Sequence, residues 1–170
     1  MKAVEKRGYP YPEELRNGQI ETIARQYLQL HYRLLSYNYT LAWQTHTTGI
    51  PSMRAILEGE FLVAPVYRKG TTQRSSYLPE GIWYHVWVNE IKTGGENTFK
   101  VDLAKLSLYG RAGTINPFEL IRQYTVQKVT EAITLKIYKG ADGDYIQYDD
   151  DGIGLDYPDG KSTLTPTLDR

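Results

Sequence analysis

The 170-residue chain contains no cysteine. That absence excludes disulfides, thiolate nucleophiles and cysteine-ligated zinc. Charge of one sign is also missing, because 20 lysines and arginines are cancelled by 20 aspartates and glutamates. A neutral chain lacks the basic footprint that phosphate backbones attract, so no nucleic-acid partner is expected. No run approaches the roughly 20 apolar residues of a membrane-spanning helix, so no membrane partner is expected. The opening MKAVEKRGYPYPEEL is charged and holds no apolar core of a secretory signal. There is no G-x-S-x-G elbow, no Walker loop and no Rossmann glycine pattern, so serine-triad and nucleotide chemistry have no anchor. Tyrosine, by contrast, is abundant, with 15 residues. Each offers a ring to a core and a hydroxyl that seeks a partner.

The chain changes texture near residue 50. From Gln19 to Thr47 the residues Ile20, Ile23, Tyr27, Leu30, Leu34, Tyr37 and Leu41 recur at alternating steps of three and four. That spacing predicts one long helix with an apolar stripe. A second stripe, Ala24, Leu28, His31, Leu35, Tyr39 and Ala42, is also largely apolar, so the helix expects neighbours on two sides. Asn17 or Gly18 caps its start, and Gly49 with Pro51 ends it. Beyond it come short β-rich runs: Phe61 to Tyr67, Arg74 to Leu78, Ile82 to Val88, Thr98 to Leu103, Leu106 to Tyr109, Thr134 to Tyr138 and Tyr145 to Tyr148. Turn signals separate them at Pro79-Glu80-Gly81, Thr93-Gly94-Gly95 and Asp142-Gly143, the last read as a hairpin turn. The closing KSTLTPTLDR reads as one more strand or a loose tail. The predicted fold class is α+β and mostly β: a long N-terminal helix followed by a mainly antiparallel β-sandwich.

Chemistry-bearing residues are few. His31 and His85 sit among apolar and aromatic neighbours and read as packed histidines. Trp83, Tyr84 and Trp87 fall in one aromatic strand, where residues four apart share a face and rings there stack on pyranoses. They are the candidate carbohydrate-binding residues, against the plainer reading of a sandwich core. Asp149, Asp150 and Asp151 form the densest carboxylate run, with Asp142, Asp144, Asp156 and Asp159 nearby. Such oxygens suit calcium, although the EF-hand spacing is not met. The competing reading is aspartates that cap tight turns. No nucleophile and base occur in a recognisable arrangement, so no catalytic residue is assigned.

The segments Tyr32-Arg-Leu-Leu-Ser-Tyr-Asn-Tyr-Thr-Leu-Ala42, Gly49-Ile-Pro-Ser-Met-Arg54, Phe61-Leu-Val-Ala-Pro-Val66, Tyr77-Leu-Pro-Glu-Gly-Ile-Trp-Tyr84, Gly94-Gly95, Arg111-Ala-Gly-Thr-Ile115 and Tyr148-Asp-Asp-Asp-Gly152 follow one another in an order that carries a resemblance. Between about Gln19 and Gly160 the chain resembles the C-terminal part of family 31 glycoside hydrolases, the α-glucosidases and α-xylosidases. The resemblance implies that residues 1–57 hold the last helix of a (β/α) barrel, 58–117 a proximal β-sandwich and 118–170 part of a distal β-domain. Members of that family are retaining O-glycosyl hydrolases that use two barrel aspartates, both upstream of the matched region. No motif here receives either one, so this chain alone is expected to be inactive. The expected partners are the missing catalytic barrel, a second copy through the helix, or an oligosaccharide, and calcium is the one candidate cofactor. Departures from the family pattern are Ser36 where proline is usual, a shortened stretch between Arg54 and Glu60, Gly110 in place of a β-branched residue, and a distal sandwich that stops early. The chain therefore reads as a fragment lacking its barrel.

Overall fold

A computed structural model describes residues 17–53, 60–68, 70–102, 104–125, 127, 132–154 and 163–167. Two helices come first, α1 (Gly18–Arg33) and α2 (Leu35–Thr48). The strands are β1 (Phe61–Ala64), β2 (Gln73–His85), β3 (Ile91–Lys100), β4 (Ser107–Arg111), β5 (Ile115–Phe118), β6 (Thr134–Ile137), β7 (Tyr145–Asp149) and β8 (Thr163–Thr167). They form a four-stranded sheet in the order β1-β4-β2-β3 and two ribbons, β5-β6 and β7-β8, with every pairing antiparallel. The architecture is α+β and mostly β, as the sequence pattern indicates.

The expected single helix is two helices that share an axis residue. Its start is capped as anticipated, with the Asn17 side chain accepting from the Gln19 N–H at 3.0 Å. Its end is the left-handed Gly49, whose N–H donates to the Thr45 carbonyl at 2.9 Å. The break at Leu34 has a tertiary cause. The Arg33 carbonyl accepts the Glu119 backbone N–H at 2.9 Å, and the Leu34 N–H is shared between the Leu30 and His31 carbonyls at 3.0 and 3.2 Å. A carbonyl drawn outward to a neighbouring segment loosens the ladder locally.

The β region corrects four expectations. Pro79-Glu80-Gly81 does not close a strand but forms an irregularity inside one continuous β2, where the register shifts between Leu78 and Ile82. Thr93-Gly94-Gly95 lies opposite it, inside β3. The two presumed turns therefore face each other and bend a single long hairpin. Gly94 is needed there because a Cβ would sit 2.6 Å from the Glu80 Cα. The true turn comes after His85: the Asn89 N–H donates to the His85 carbonyl at 2.8 Å, and Asn89 adopts φ 54°. The Ile82 to Val88 run thus ends as a strand at His85. Finally, Asp142-Gly143 makes no hairpin, since β6 pairs with β5 and β7 with β8. Gly143 instead crosses the 112–114 turn so closely that a Cβ would stand 1.8 Å from the Gly113 carbonyl oxygen.

The bend in β2 folds the far end of the hairpin over the sheet. Leu78 and Phe99 from that end join Leu62, Ala64, Trp83 and Tyr109 in one buried cluster, with the Phe99 and Tyr109 rings 4.8 Å apart. A second cluster, Val86, Leu108 and Tyr138, receives Leu30 from α1. A third joins Tyr37 of α2 to Ile115 and Tyr145, with Leu34, Leu41 and Phe61 packed on it. The Gly110 departure is explained by packing, because a Cβ there would meet the Tyr138 ring at 2.8 Å. The tyrosine ring fills the space that a β-branched side chain would need.

Gly113 carries φ +90°, and a Cβ on it would lie 2.5 Å from the Asp142 carbonyl oxygen. Gly70 carries φ +76° with nothing within 4 Å. Gly113→Ala is expected to cost about 3 kcal/mol, backbone strain plus overpacking. Gly70→Ala is expected to cost only the strain, about 1 kcal/mol. Urea midpoints of the two variants check the difference.

Candidate functional site

The helical segment has two unlike faces. The first stripe is the inner one: Leu30, Leu34, Tyr37 and Leu41 all enter core clusters. Tyr27 pins α1 to the sheet, its hydroxyl donating to the Ala104 carbonyl at 3.2 Å and accepting from the Leu106 N–H at 2.5 Å. The second stripe is the outer one. Leu28 is 61% exposed, Tyr39 and Ala42 are exposed, and no residue of α1 is buried; Ile20, at the start of the first stripe, is exposed too. His31, read from sequence as packed, is exposed as well.

Around α2 the attachment is denser. Thr40 is fully buried and its hydroxyl accepts the Tyr148 backbone N–H at 3.1 Å. Trp43 stacks on Tyr148 with centroids 5.0 Å apart and planes 8° from parallel. Tyr39 donates to Asp150 Oδ1 at 2.5 Å, and Tyr148 donates to Asp150 Oδ2 at 2.6 Å. Sequence reading missed Tyr39 as the partner of Asp150 and Trp43 as the partner of Tyr148. Their four-residue spacing placed them together on the helix, but nothing local pointed to β7.

The carboxylate run divides its work. Asp150 also accepts the Gly152 N–H at 2.8 Å, so three of its about four acceptor positions are taken. Asp151 Oδ1 accepts the Ile153 and Gly154 N–H groups at 3.0 and 2.8 Å. These are the Asx turns of the competing sequence reading. Asp149 ends β7 and is exposed. Among the described residues no group of three or more His, Asp or Glu side chains gathers as a metal site; Asp156 and Asp159 lie outside the described residues.

The aromatic trio is dispersed. Trp83 is 1% exposed and its indole N–H donates to the Pro79 carbonyl at 2.8 Å, so its ring is not open to a sugar in this structure. Trp87 lies beyond the strand, in the turn, where its N–H donates to the Leu106 carbonyl at 3.0 Å and its ring meets Tyr27 edge-on at 5.6 Å. Tyr84 is half-buried, donates to the Lys139 carbonyl at 2.9 Å and leans on Tyr138. The three share no ligand-facing surface.

The electrostatics favour a lock over a proton shuttle. The hydrogen bonds from Tyr148 and then Tyr39 hold the Asp150 carboxyl below its ordinary range. The same bond, with burial and the neighbouring aspartates, pushes the Tyr39 hydroxyl up to about 12. Both groups move away from neutrality, whereas general acid–base catalysis wants a pKa near the working pH. Elsewhere, burial alone raises Tyr138 to about 12, and burial lowers His85 against the opposing pull of Glu90.

The helical segment is wired into an antiparallel sandwich, and the placed aspartates Asp150 and Asp151 act as turn caps and acceptors of tyrosine hydroxyls. Residues 33–115 match the model of the glycosyl hydrolase family 31 C-terminal domain. The chain is 30% identical to an α-xylosidase of Saccharolobus solfataricus over 86% of its own length and 23% of the relative's. It is 32% identical to α-glucosidase 2 of Bacillus thermoamyloliquefaciens over 82% of its own length and 20% of the relative's. In three dimensions it superposes on a family 31 dextranase of Flavobacterium johnsoniae with TM-score 0.82 and 29% identity, covering 88% of this chain and 21% of that one. A family 31 α-xylosidase of Xanthomonas citri gives 0.75 and 32%, covering 81% and 17%. The chain belongs to glycoside hydrolase family 31, in its C-terminal region, and spans about a fifth of the length of the curated relatives it matches.

Because the folded pKa of Asp150 is depressed, its bond contributes stability that is complete above the unfolded carboxyl value of about 4 and is lost as pH falls through the lowered value. Asp150→Asn should therefore lower the unfolding free energy at neutral pH and flatten its decline in acid. In the same variant the Tyr39 phenol should titrate nearer to 10 than to about 12. Denaturation at a series of pH values and ultraviolet titration against Tyr39→Phe check both.

Proposed function

We propose that this chain is the non-catalytic C-terminal portion of a family 31 α-glycosidase and that it buttresses the catalytic barrel with the outer stripe of α1 and α2. The observation that carries the reading is a 16-residue helix with no buried residue and an apolar outer face. Helices of that length are marginal alone and take their stability from tertiary packing. An apolar face left in water seeks a wall, and in the resemblance that wall is the barrel. Residues 1–57 are then the helical segment that faces the barrel, 58–117 the proximal sandwich and 118–170 part of the distal domain. The parent substrate is an α-linked glucoside or xyloside, by the activities of the relatives, and the bond-breaking carboxylates belong to the barrel.

Two measurements test this. Purified chain should not hydrolyse aryl α-glucosides or α-xylosides. Turnover that persists through purification and disappears on replacing an aspartate of this chain would overturn the reading. Without a barrel the outer stripe should pair with a second copy, so sedimentation should show a dimer at about 100 µM, and Leu28→Glu should shift it to monomer. A wild-type monomer at that concentration would contradict the use of this face as an interface.

A further inference from the structure

We propose that the β1–β2 loop and the first residues of β2 form a binding pocket for an oxyanion (phosphate, sulfate or carboxylate), free or carried on a sugar, gripped by Arg68 and Arg74. The two guanidinium carbons stand 5.7 and 5.1 Å from the centroid of one ring, Tyr67. Two cations sharing a ring repel each other, and the ring offsets only part of that. Beside them is a cavity of about 230 Å³ whose lining among the described residues includes Thr71, Gln73 and Ser75 and no carboxylate. Among the described residues neither arginine has an ion-pair partner. Arg74, half-buried overall, has one nitrogen, Nη1, that is shut off from solvent and has no hydrogen-bond acceptor among the described residues. A charged donor removed from water and left unpaired is costly, and such a group in a native fold calls for a missing partner.

The chemistry of the partner follows from the donors. A guanidinium presents a planar fork that matches the oxygens of carboxylate, sulfate or phosphate. The cavity is smaller than the roughly 300 Å³ lower bound of ordinary ligand sites, so it suits one anionic group, not an oligosaccharide. The loop is already fixed: the Thr71 N–H donates to the Arg68 carbonyl at 3.4 Å and the Val101 N–H to the Thr72 carbonyl at 3.0 Å. Gly70, at φ +76°, belongs to the turn that leads from Arg68 toward β2. The pocket shares no residue with α1 or α2, so its fate is separable from the barrel-facing reading.

The test is a nitrogen-labelled titration of the full chain at low ionic strength with inorganic phosphate, sulfate, glucuronate, glucose 6-phosphate and glucose. Phosphate should give saturable shifts in the Arg68 and Arg74 side chains and in the described amides of 66–75, and glucose should give none. Arg68→Gln and Arg74→Gln should each weaken phosphate by about tenfold with the remaining spectrum unchanged. Glucose 6-phosphate binding more tightly than phosphate would support a sugar-borne anion, and equal binding would support a free one. Absence of a saturable shift at about 50 mM phosphate, equal affinity in both variants, or an equal response to glucose would overturn the proposal.

Discussion

The structure turns on the ring of Tyr37. It lies where α2, β1, β5 and β7 meet, edge-on to Phe61 at 5.6 Å and stacked on Tyr145 at 6.3 Å, over Ile115. Three residues later the same face presents Thr40, whose buried hydroxyl takes the Tyr148 backbone N–H, and then Trp43, which lies flat on the Tyr148 ring. Successive turns of one helix thus bind the β7–β8 ribbon. Phe61 continues the contact into the four-stranded sheet, because it packs on both clusters that touch the helices. Three separate sheets share a core through one helical side.

That use of the inner side defines what remains for function. The three tryptophans are held by the fold: Trp83 by the core, Trp87 by Tyr27 and the Leu106 carbonyl, Trp43 by Tyr148. Asp150, the best-placed carboxylate of the run, already accepts from two phenols and a backbone N–H. The polar groups of this region hold pieces together instead of reaching outward. The outer stripe of the helices leaves apolar surface in water, with Leu28 and Tyr39 open to solvent. Under the proposed reading, a module built this way gives support to a barrel.

Much of this was legible from residue spacing. The inner stripe of the helix, its Asn17 cap and its Gly49 stop are local properties, and local physics recorded them correctly. The break at Leu34 was not legible, since it arises from the Glu119 N–H taking the Arg33 carbonyl across the fold. The long hairpin was misread for a related reason. Glycine and proline announce a departure from ideal strand geometry, but only the pairing of Leu78 with Gly95 and Ile82 with Thr93 shows that the departure is a bend and not a reversal. The real reversal hides in β-branched and aromatic residues, with Asn89 its one local signal. The aspartates were readable as turn caps. The partner on the helix was not, because Tyr39 lies 111 positions from Asp150.

The central claim is that one side of the helical segment is fastened and the other is waiting for a wall. Amide hydrogen exchange along residues 18–48, in chain dilute enough to be monomeric, tests it most directly. The account predicts that α1, with no buried residue, exchanges at least about tenfold faster than the Tyr37–Thr40 turn of α2, which the sandwich holds. Protection of α1 equal to that of α2 would show that the helix needs no further neighbour and would contradict the account.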